Sequence, residues 1–581
     1  MDLYTKKLKK LIDNLYKNQI ESTNVLKEII KIVDSNNKNV ISNKLSRYRK
    51  WDQTKCFLIT YPNSIIKNGE SPLKTLSQFL VDHLELIDCV HILPFMPSSS
   101  DAGFSVIDYY KIDNDYGDWN DLKLISNNKN IMIDLVLNHA SSKSQWFYNF
   151  LSGKGEGSDY FKVVKNWSGE AQIERPRTTN IFKDFSTKKG VKTLWCTFSH
   201  DQIDLDFGNP KVLVEFLKII KFYVEKNIKI FRLDAVAFLW KEKNTNCINR
   251  PETHTIIKII RLFADLIDKD IIVLTETNLP NKENLSYFGK SDESDWIYNF
   301  TLSPLILYTL ISGNCDKLRK WSMSMPPADD GHAYINFLST HDGIGVRPIE
   351  DRMSDDELNR FIKHMEDIGS KISYKTTKWG EKVPYEINTT YLDGLKTTFC
   401  GDDNLQIKRF QCAYVIMMAM EGIPAIYIHN IIGTRNNYDL IKLGKEKRTI
   451  NRSIWDANEL YEKLDDKKST NYKILKSFKK ILKIRQKQPA FHPNATQFTL
   501  NLGNSIFGIW RQDRNRKQSI FSISNITHKH ISFPLEDINL IENEFWYDLL
   551  SNESINYHAA SITMKPYQSL WITNYLSKPK I

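Results

Sequence analysis

The sequence predicts an α/β protein: a (β/α)8 TIM barrel with insertions after strands 3 and 7, an N-terminal helical extension and a C-terminal antiparallel β domain. Three features of its 581 residues predict this. Helical spacing fills the first fifty residues, apolar runs then alternate with helix-period segments, and β-type runs without helices fill the end. Continuous apolar strands separated by helices indicate a parallel sheet buried on both faces, and eight of them favour a closed barrel.

The first segment, residues 1–50, predicts two amphipathic helices. Their apolar positions are Leu8, Leu11, Ile12 and Leu15, then Leu26, Ile29, Ile30 and Val33. Glu21-Ser-Thr-Asn resembles the start of the second helix, and the polar stretch from Ser35 to Asn39 would end it. A solvated extension packed on the main body is favoured over an RNA-binding or lipid-binding role.

The barrel is predicted over residues 51–490. Its strands are CFLITY at 56–61, CVHILP at 89–94, IMIDLV at 131–136, KIFRLD at 229–234, IIVLTE at 271–276, DWIYNF at 295–300, YINFLS at 334–339 and PAIYIH at 424–429. The gaps at 140–208 and 343–400 are too long for simple crossovers and follow strand C-termini. We therefore expect both insertions on the active face of the barrel.

Residues 491–581 predict the small antiparallel β domain. QFTLNLG, SIFGIWRQ, QSIFSISNIT, EFWYDLL and SLWIT are short runs of β propensity separated by turn residues, and no helical pattern lies between them.

Composition predicts a soluble cytoplasmic protein. The chain has 41% hydrophobic and 26% charged residues, which excludes global disorder. Its seven cysteines include no CxxC pair, so a disulfide scaffold and a zinc site are disfavoured. Lysines interrupt the N-terminal segment where a secretion signal needs an apolar core. Glu421, Gly422 and Pro424 break the most apolar window, 412–428, which predicts a buried helix followed by a buried strand instead of a membrane span.

The charge gives little support for nucleic-acid binding. The net charge is +11, but the first 51 residues hold twelve Lys and Arg against five Asp and Glu, so +7 of it lies there. The remaining 530 residues are nearly neutral, and we expect neither a nucleic-acid partner nor a membrane partner.

Polar residues follow the predicted strands where a barrel carries its active site. Strand two is followed by Asp101-Ala-Gly-Phe104, strand three by Asn138-His139, strand four ends in Arg232-Leu-Asp234, strand five ends at Glu276, and strand seven is followed by His341-Asp342. Any one of these residues could be a helix cap or a packing residue. Their convergence on one rim is much harder to explain without catalysis.

The pattern fits glycosyl transfer, which needs a proton donor for the leaving oxygen and a carboxylate facing the developing oxocarbenium ion. Arg232 projects to the same side of its strand as Asp234 and would keep that carboxylate ionised as a nucleophile. Glu276, its pKa raised by burial and by Asp234, would be the acid/base. Neighbouring strands lie about 4.8 Å apart, which suits a retaining double displacement. Asp342 and His341 would hold sugar hydroxyls and stabilise positive charge.

The motifs DLVLNH, RLDAV, the Glu after strand five and THDG resemble the four signature regions of the α-amylase superfamily of glycoside hydrolases. The resemblance covers residues 55 to 575. It implies Asp234 as nucleophile, Glu276 as acid/base and Asp342 as transition-state stabiliser. It also raises the question of calcium near Asn138, but the insertion lacks a dense Asp/Asn cluster and we predict no metal and no cofactor.

Within the superfamily the chain is most similar to the sucrose phosphorylase group, which implies further contacts. Asp101 would pair with Arg452 to close a glucose pocket that includes Phe104 and His139. Phe198 and Gln202 would wall the glucose and acceptor sites. Arg177, in Arg175-Pro-Arg177, and Tyr385, in PYEIN, would bind phosphate.

Departures from sucrose phosphorylases favour a different acceptor. The helical extension, Asn278 where those enzymes carry His, PYEIN, and the segments 238–254 and 275–289 resemble glucosylglycerate phosphorylases. Phosphate and acceptor occupy the same space in turn, so a cationic site could serve a carboxylate acceptor too. Arg177 would pair with glycerate, with Arg175, Lys382 or Arg347 as further candidates.

Other readings stay open at this point. They are sucrose phosphorylase, a hydrolase or transglucosidase of the superfamily, and a catalytically silent sugar-binding barrel. The expected ligands are a small-molecule glucoside and inorganic phosphate as co-substrate. A homo-oligomer is possible, and the sequence does not decide it.

Overall fold

The computed structural model has eight parallel strands closed into a barrel. It describes residues 2–34, 51–165, 167, 173–174, 179–376, 381–444, 446–538, 540, 545–556 and 558–575. The barrel strands are Phe57–Thr60, Cys89–Ile92, Asn130–Val136, Ile230–Asp234, Ile272–Thr275, Trp296–Tyr298, Ala333–Asn336 and Ile423–Tyr427. Each begins within one residue of its predicted run. The strands follow chain order around the barrel, and Phe57 pairs with Ala425 to close it. The predicted fold class is confirmed.

Helices surround the barrel between these strands. They are Pro72–His83, Trp119–Ser126, Pro210–Glu225, Pro251–Ile267, Asn281–Leu285, Leu302–Ser312, Asp316–Ser324, Gln406–Ala419, Ile428–Ile431, Tyr438–Lys442, Ala457–Asp465 and Thr470–Arg485. Several begin with the residues that favour a helix start. Asn209 caps Pro210–Glu225 through the N–H of Lys211, and a proline occupies its first turn.

Both long connections lie at the C-terminal ends of the strands. The first insertion contains strands His139–Ser141, Phe182–Thr187, Gly190–Trp195 and Gln202–Asp204 and helix Gln145–Ser152. The second contains strands Ile344–Gly345, Lys371–Thr376 and Lys382–Asn388 and helices Asp355–Asp367 and Tyr391–Gly394. Strand Lys382–Asn388 is the centre of a three-stranded antiparallel sheet. These insertions form two walls above the barrel.

The N-terminal helices Asp2–Tyr16 and Gln19–Asp34 pack against each other and against the barrel helices Pro251–Ile267 and Pro210–Glu225. Leu8, Ile12 and Ile29 are at most 1% exposed and belong to the main hydrophobic core. The second helix begins at Gln19, two residues before the predicted start, because the Asn18 side chain accepts the N–H groups of Ile20 and Glu21. The predicted polar end, 35–39, lies outside the described residues.

The C-terminal region forms a six-stranded antiparallel sheet with its own apolar core. Its strands are Thr496–Leu500, Ile506–Gln512, Ser519–Asn525, Phe545–Asp548, Glu553–Ser554 and Ser569–Tyr575. The paired strands Ile531–Pro534 and Ser561–Met564 were not predicted, because their four-residue runs are mostly exposed and carry little apolar signal. The predicted buried helix and strand in the apolar window are present as Gln406–Ala419 and Ile423–Tyr427. In the part of the chain that the structure describes, no helix is long and apolar enough to cross a membrane.

Candidate active site

The polar residues predicted at the strand ends line one cleft that is open to solvent. Those that line it are Asp101, Phe104, His139, Phe198, Gln202, Arg232, Asp234, Glu276, His341, Asp342 and Tyr385. Arg452 lies directly behind His341. Arg177 and Arg175 lie outside the described residues. The cleft therefore brings together the sugar-side candidates and one of the two phosphate candidates.

Strand register makes Asp234 and Glu276 neighbours. Leu233 pairs with Thr275, and the N–H of Glu276 donates to the carbonyl of Leu233 at 3.1 Å. Ala235 has a φ of 48°, a left-handed conformation that is unusual for a residue other than glycine. Its N–H donates to Glu276 Oε2 at 3.0 Å. The turn after the nucleophile candidate thus holds the acid/base candidate in place.

Arg232 is shared between carboxylates and does not serve Asp234 alone. Its Nη1 donates to Asp234 Oδ1 at 2.7 Å and also to Asp134, which accepts from the His91 ring at 2.8 Å. Its Nη2 lies 3.9 Å from Glu276 Oε1. Burial acts to raise the pKa of Asp134, but Arg232 and His91 lower it to about 2. Arg232 therefore faces a permanent anion behind the site as well as the two carboxyls in front.

The two candidate catalytic carboxyls, Asp234 and Glu276, have raised pKa values. Burial raises the pKa of Asp234 first, Arg232 opposes it, and the charge of Glu276 raises it further. Burial also raises the pKa of Glu276, again opposed by Arg232 and reinforced by Asp342. Arg232 lowers the pKa of Asp234, as the sequence predicts, but burial and the charge of Glu276 act against it. The two carboxyls titrate as a pair. Arg232 touches Asp234 and stays 3.9 Å from Glu276, and this geometry favours the charge on Asp234 and the proton on Glu276.

Asp342 has the opposite electrostatic environment. Burial acts to raise its pKa, but Arg448, His341 and Arg452 together bring the pKa well below the ordinary carboxyl range. Arg448 Nη1 donates to Asp342 Oδ1 at 2.5 Å, and the other nitrogens of that guanidinium donate to Glu386, with Nε at 3.1 Å from Oε2. Asp342 is therefore a permanent anion facing the cleft.

Arg448 and Glu386 were missed by sequence reasoning. Glu386 follows Tyr385 on the central strand of the second insertion, and Arg448 lies in the short turn Lys447–Asn451 after the last barrel strand. Glu386 lies in PYEIN, but only Tyr385 of that motif was given a role. Arg448 follows no predicted strand end, and its one signal was its position four residues before Arg452.

Paired aromatic rings and hydrogen bonds form the wall on the side predicted to bind the sugar. Phe104 stacks on His341 with ring centroids 5.1 Å apart and planes 7° apart, and Phe198 packs on His139 at 5.2 Å. His139 Nε2 lies 2.8 Å from the carbonyl of Phe104, so the ring donates there. Burial lowers the pKa of His139, and it lowers that of His341 to about 3. Both rings are therefore neutral at ordinary pH and serve as walls and hydrogen-bonding groups.

The expected pairing of Asp101 with Arg452 is not formed among the described residues. Asp101 Oδ2 instead accepts from Gln202 Nε2 at 3.0 Å. Arg452 Nε donates to the carbonyl of His341 at 2.8 Å, and its guanidinium lies 5.7 Å from the ring centre of Tyr61. The carbonyl of His341 therefore holds Arg452, and Asp101 is hydrogen-bonded to Gln202 at the cleft.

A half-buried carboxylate holds the loop that carries Asp101. Asp201 accepts hydrogen bonds from four serine hydroxyls at 2.5–2.8 Å; they belong to Ser99, Ser100, Ser105 and Ser142. The loop needs such support, because Asp101 and Ala102 have φ values of 53° and 49°. Gly103 also has a positive φ, and a Cβ there would meet Pro94 at 2.7 Å. We call Asp201 and these four serines the serine cluster.

The acceptor side is formed by the second insertion. Tyr385 lines the cleft, and so do Arg347, a predicted candidate, and Lys375, which the sequence reasoning missed. Lys382 is exposed and does not line the cleft, although it lies on the same strand as Tyr385. Side chains alternate between the two faces of a strand, and Lys375 pairs with Val383, not with Lys382. This explains why Lys375 and Tyr385 line the cleft while Lys382 does not.

The calcium question is answered by the residues around Asn138. Lys241 Nζ lies 2.7 Å from both Asn138 Oδ1 and Asp204 Oδ2. A divalent cation at this point would be repelled by the ammonium that already balances Asp204. No cluster of three or more His, Cys, Asp or Glu within the described ranges is placed to hold a metal ion. These residues do not fit calcium.

Comparison with known proteins gives one family and several full-length relatives. Residues 81–338 match the catalytic domain of alpha-amylase. The chain is 36% identical to a glucosylglycerate phosphorylase of Spirochaeta thermophila, over 91% of each chain. It is 33% identical to a glucosylglycerate phosphorylase of Escherichia coli, over 97% of this chain and 99% of that one. A sucrose phosphorylase of Streptococcus mutans is 29% identical over 75% of this chain and 88% of its own length.

A solved structure shares the fold. The sucrose 6F-phosphate phosphorylase from Thermoanaerobacter thermosaccharolyticum superimposes with a TM-score of 0.70 at 24% identity. The match covers 84% of this chain and 96% of that one.

Proposed function

We propose that this chain, which belongs to the alpha-amylase family, transfers the glucosyl unit of 2-O-α-glucosylglycerate to inorganic phosphate. The products are α-glucose 1-phosphate and glycerate. The general activity, that of a glucoside phosphorylase and hence a hexosyltransferase, is shared by its full-length relatives. The catalytic carboxylates on neighbouring strands support a double displacement with retention.

In the first half-reaction Glu276 gives its proton to the glycosidic oxygen while Asp234 attacks the anomeric carbon. The bond between that carbon and the glycerate oxygen breaks, and a glucosyl ester of Asp234 forms. The raised pKa of Glu276 keeps the proton available for this step. Burial and Arg232 orient Asp234 for attack.

In the second half-reaction a phosphate oxygen attacks the anomeric carbon from the face that glycerate left. The ester bond to Asp234 breaks, and Glu276, now ionised, accepts the proton of the attacking phosphate hydroxyl. Two inversions give net retention, so the product is the α-phosphate. Phosphate must reach this position before water, and we propose that Arg177 and Tyr385 bind it.

Asp342 stabilises the positive charge that develops on the sugar in both steps. Its low pKa keeps it ionised through the reaction, and Arg448 and Glu386 fix its orientation. The neutral rings of His139 and His341, together with Phe104, Asp101 and Gln202, line the space proposed for glucose. Arg452 supports this wall from behind.

The observation that carries the choice of glycerate is the extent of the similarity. Relatives named glucosylglycerate phosphorylase match at 33–36% identity over at least nine-tenths of this chain, whereas the sucrose phosphorylase of Streptococcus mutans matches 75% of it. Sucrose phosphorylase is the second candidate, followed by an α-glucosidase or transglucosidase. A silent sugar-binding barrel is disfavoured, because Asp234 and Glu276 are both in place.

The test is phosphate-dependent release of glucose 1-phosphate from a panel of glucosides. 2-O-α-glucosylglycerate should give the highest kcat/KM, well above sucrose and the uncharged 2-O-α-glucosylglycerol. A higher kcat/KM on sucrose would establish the second candidate. Release of free glucose independent of phosphate would indicate a hydrolase, and no release from any glucoside would indicate a binding protein.

A further inference from the structure

Two cationic side chains of the acceptor side, Arg347 and Lys375, have no role in the chemistry described above. Arg347 starts the helical turn Arg347–Arg352, and Lys375 lies on strand Lys371–Thr376, next to the strand that carries Tyr385. Both line the cleft. The second insertion therefore presents two positive charges and a phenol to whatever occupies this end.

Each of the two cations forms an ion pair with one carboxylate. Arg347 Nη1 lies 3.2 Å from Glu174 Oε1, and Lys375 Nζ lies 3.5 Å from Glu350 Oε1. Within the described residues neither side chain makes a hydrogen bond of good geometry. An arginine offers five N–H donors and a lysine three, so most of this donor capacity remains available.

Arg448 shows the contrast on the same wall. Its guanidinium donates to Asp342 and to both carboxylate oxygens of Glu386, so two anions already hold it in place. Arg347 and Lys375 are only 18% and 16% exposed, so they are screened from bulk water but not saturated. A carboxylate that entered between them would gain charge-assisted hydrogen bonds at a small loss of existing ones.

Glu174 shows that a carboxylate can reach Arg347. It comes from the first insertion, where its N–H donates to the carbonyl of Asn246, and it approaches Arg347 from the opposite wall of the cleft. It is 37% exposed and can turn away.

We propose that Arg347 and Lys375 form the subsite for the carboxylate of the acceptor and that Glu174 occupies Arg347 when this subsite is empty. The inference rests on the function proposed above and deepens it, because it separates the carboxylate subsite from the phosphate contacts at Arg177 and Tyr385. It also explains why an anionic acceptor would bind better than a neutral one. An anionic acceptor displaces Glu174 and gains both cations, whereas a neutral acceptor must leave Glu174 in place.

The test compares Lys375→Met and Arg347→Met with the wild type in the synthetic direction, using glucose 1-phosphate with glycerate or with glycerol. Each substitution should raise the KM for glycerate roughly ten- to a hundredfold, the usual cost of one charge-assisted contact. The KM for phosphate in phosphorolysis should change less than threefold, and the rate with glycerol should be kept. Glu174→Gln should lower the KM for glycerate, because it frees Arg347.

Two control variants test whether the change in the KM for glycerate comes from these two cations. Lys363→Met removes an exposed lysine from helix Asp355–Asp367 of the same insertion, outside the cleft, and should leave every KM unchanged. Arg347→Lys keeps the charge and should recover part of the affinity for glycerate. Thermal unfolding of each variant shows whether the insertion still folds.

Two outcomes would overturn the inference. If the wild type uses glycerate but Lys375→Met and Arg347→Met raise the KM for phosphate as much as that for glycerate, or raise neither, the separate subsite is wrong and the proposed function stands. If the wild type does not use glycerate at all, the proposed function is wrong and the inference is wrong with it.

Discussion

The two ends of the cleft are held in different ways. At the sugar end, Asp101, Phe104, His139 and His341 stand at the ends of barrel strands, and hydrogen bonds of 2.5–3.0 Å join their loops. At the acceptor end, the polar groups stand on two insertions, and ion pairs of 3.2 and 3.5 Å join them to their partners.

The difference follows from what each end must do. In the proposed reaction the sugar end binds the same glucosyl unit in both half-reactions, so a rigid wall in which each polar group has a partner would lower the barrier without reorganisation. In the same reaction the acceptor end would release glycerate and admit phosphate in its place. Ion pairs at 3.2 and 3.5 Å, which an entering ligand can replace, suit that exchange. Variants should therefore act on turnover at the sugar end and on acceptor affinity at the other.

The largest effect is expected at the nucleophile. Asp234→Asn keeps the volume and the contact with Arg232 but removes the attacking oxygen, so kcat should fall by roughly four orders of magnitude. Initial rates of phosphorolysis measure it, with circular dichroism as the control for folding. Retention of a tenth of the wild-type rate would remove Asp234 from this role.

The next effect separates proton transfer from attack. Glu276→Gln should lower kcat on 2-O-α-glucosylglycerate by about 10²- to 10⁴-fold, because the leaving oxygen needs a proton. An activated glucosyl donor whose leaving group needs none, such as α-glucosyl fluoride, should restore formation of the glucosyl ester. The burst of released fluoride checks this. If the activated donor reacts no faster than the natural one, the acid/base assignment is wrong.

These two assignments show how far the sequence reaches. Asp234, Glu276 and Asp342 could be placed because each follows a regular apolar strand, and the strand pattern defines the barrel rim. The same reasoning did not reach Glu386 and Lys375 on the second insertion, or Arg448 in the turn after the last barrel strand. In these segments chain direction depends on contacts between distant parts of the chain. The sharing of Arg232 with Asp134 was also missed, since it depends on which side chains meet inside the barrel. The sequence therefore predicts the residues at the strand ends, whereas at the acceptor end it predicts Tyr385 and Arg347 but misses Lys375 and Glu174 among the residues that line the cleft.

A smaller effect is expected on the phosphate contact. Arg177→Ala should raise the KM for phosphate roughly ten- to a hundredfold, since one charge-assisted contact contributes about 1.5–3 kcal/mol. Hydrolysis of the glucosyl enzyme should compete better, because water needs no cation. The sequence alone predicts an equal rise in the KM for glycerate, whereas the carboxylate subsite at Arg347 and Lys375 predicts a smaller one. Measuring both constants in this variant decides between a shared and a divided site.

The serine cluster tests the rigid end without touching the substrate. Asp201→Ala removes the acceptor of four hydroxyls, which should let the left-handed turn at Asp101 relax and raise the KM for the glucoside about tenfold. The KM values for phosphate and for glycerate should change little, since Tyr385, Arg347 and Lys375 lie on the second insertion. Asp201→Asn keeps an acceptor oxygen and should recover part of the loss. Equal increases in all three constants would mean that the cluster only supports folding.

The smallest effect on turnover is expected from the N-terminal helices, although their effect on stability is large. Residues 1–50 are predicted to be a separate extension, and the structure packs the two helices on Pro251–Ile267 and Pro210–Glu225. Deleting them would expose the apolar faces of those helices, so the thermal midpoint should fall.

Ile12→Ala alone should lower the free energy of unfolding by about 2–5 kcal/mol, because Ile12 is completely buried. Lys10→Ala, at an exposed position of the same helix, should cost little. The kcat of the folded fraction should stay within about twofold of the wild type, because strand Ile272–Thr275, which leads into Glu276, is paired on both sides with barrel strands. Phosphorolysis well below the unfolding temperature measures this, and a large loss of kcat in a folded variant would mean that the extension shapes the site.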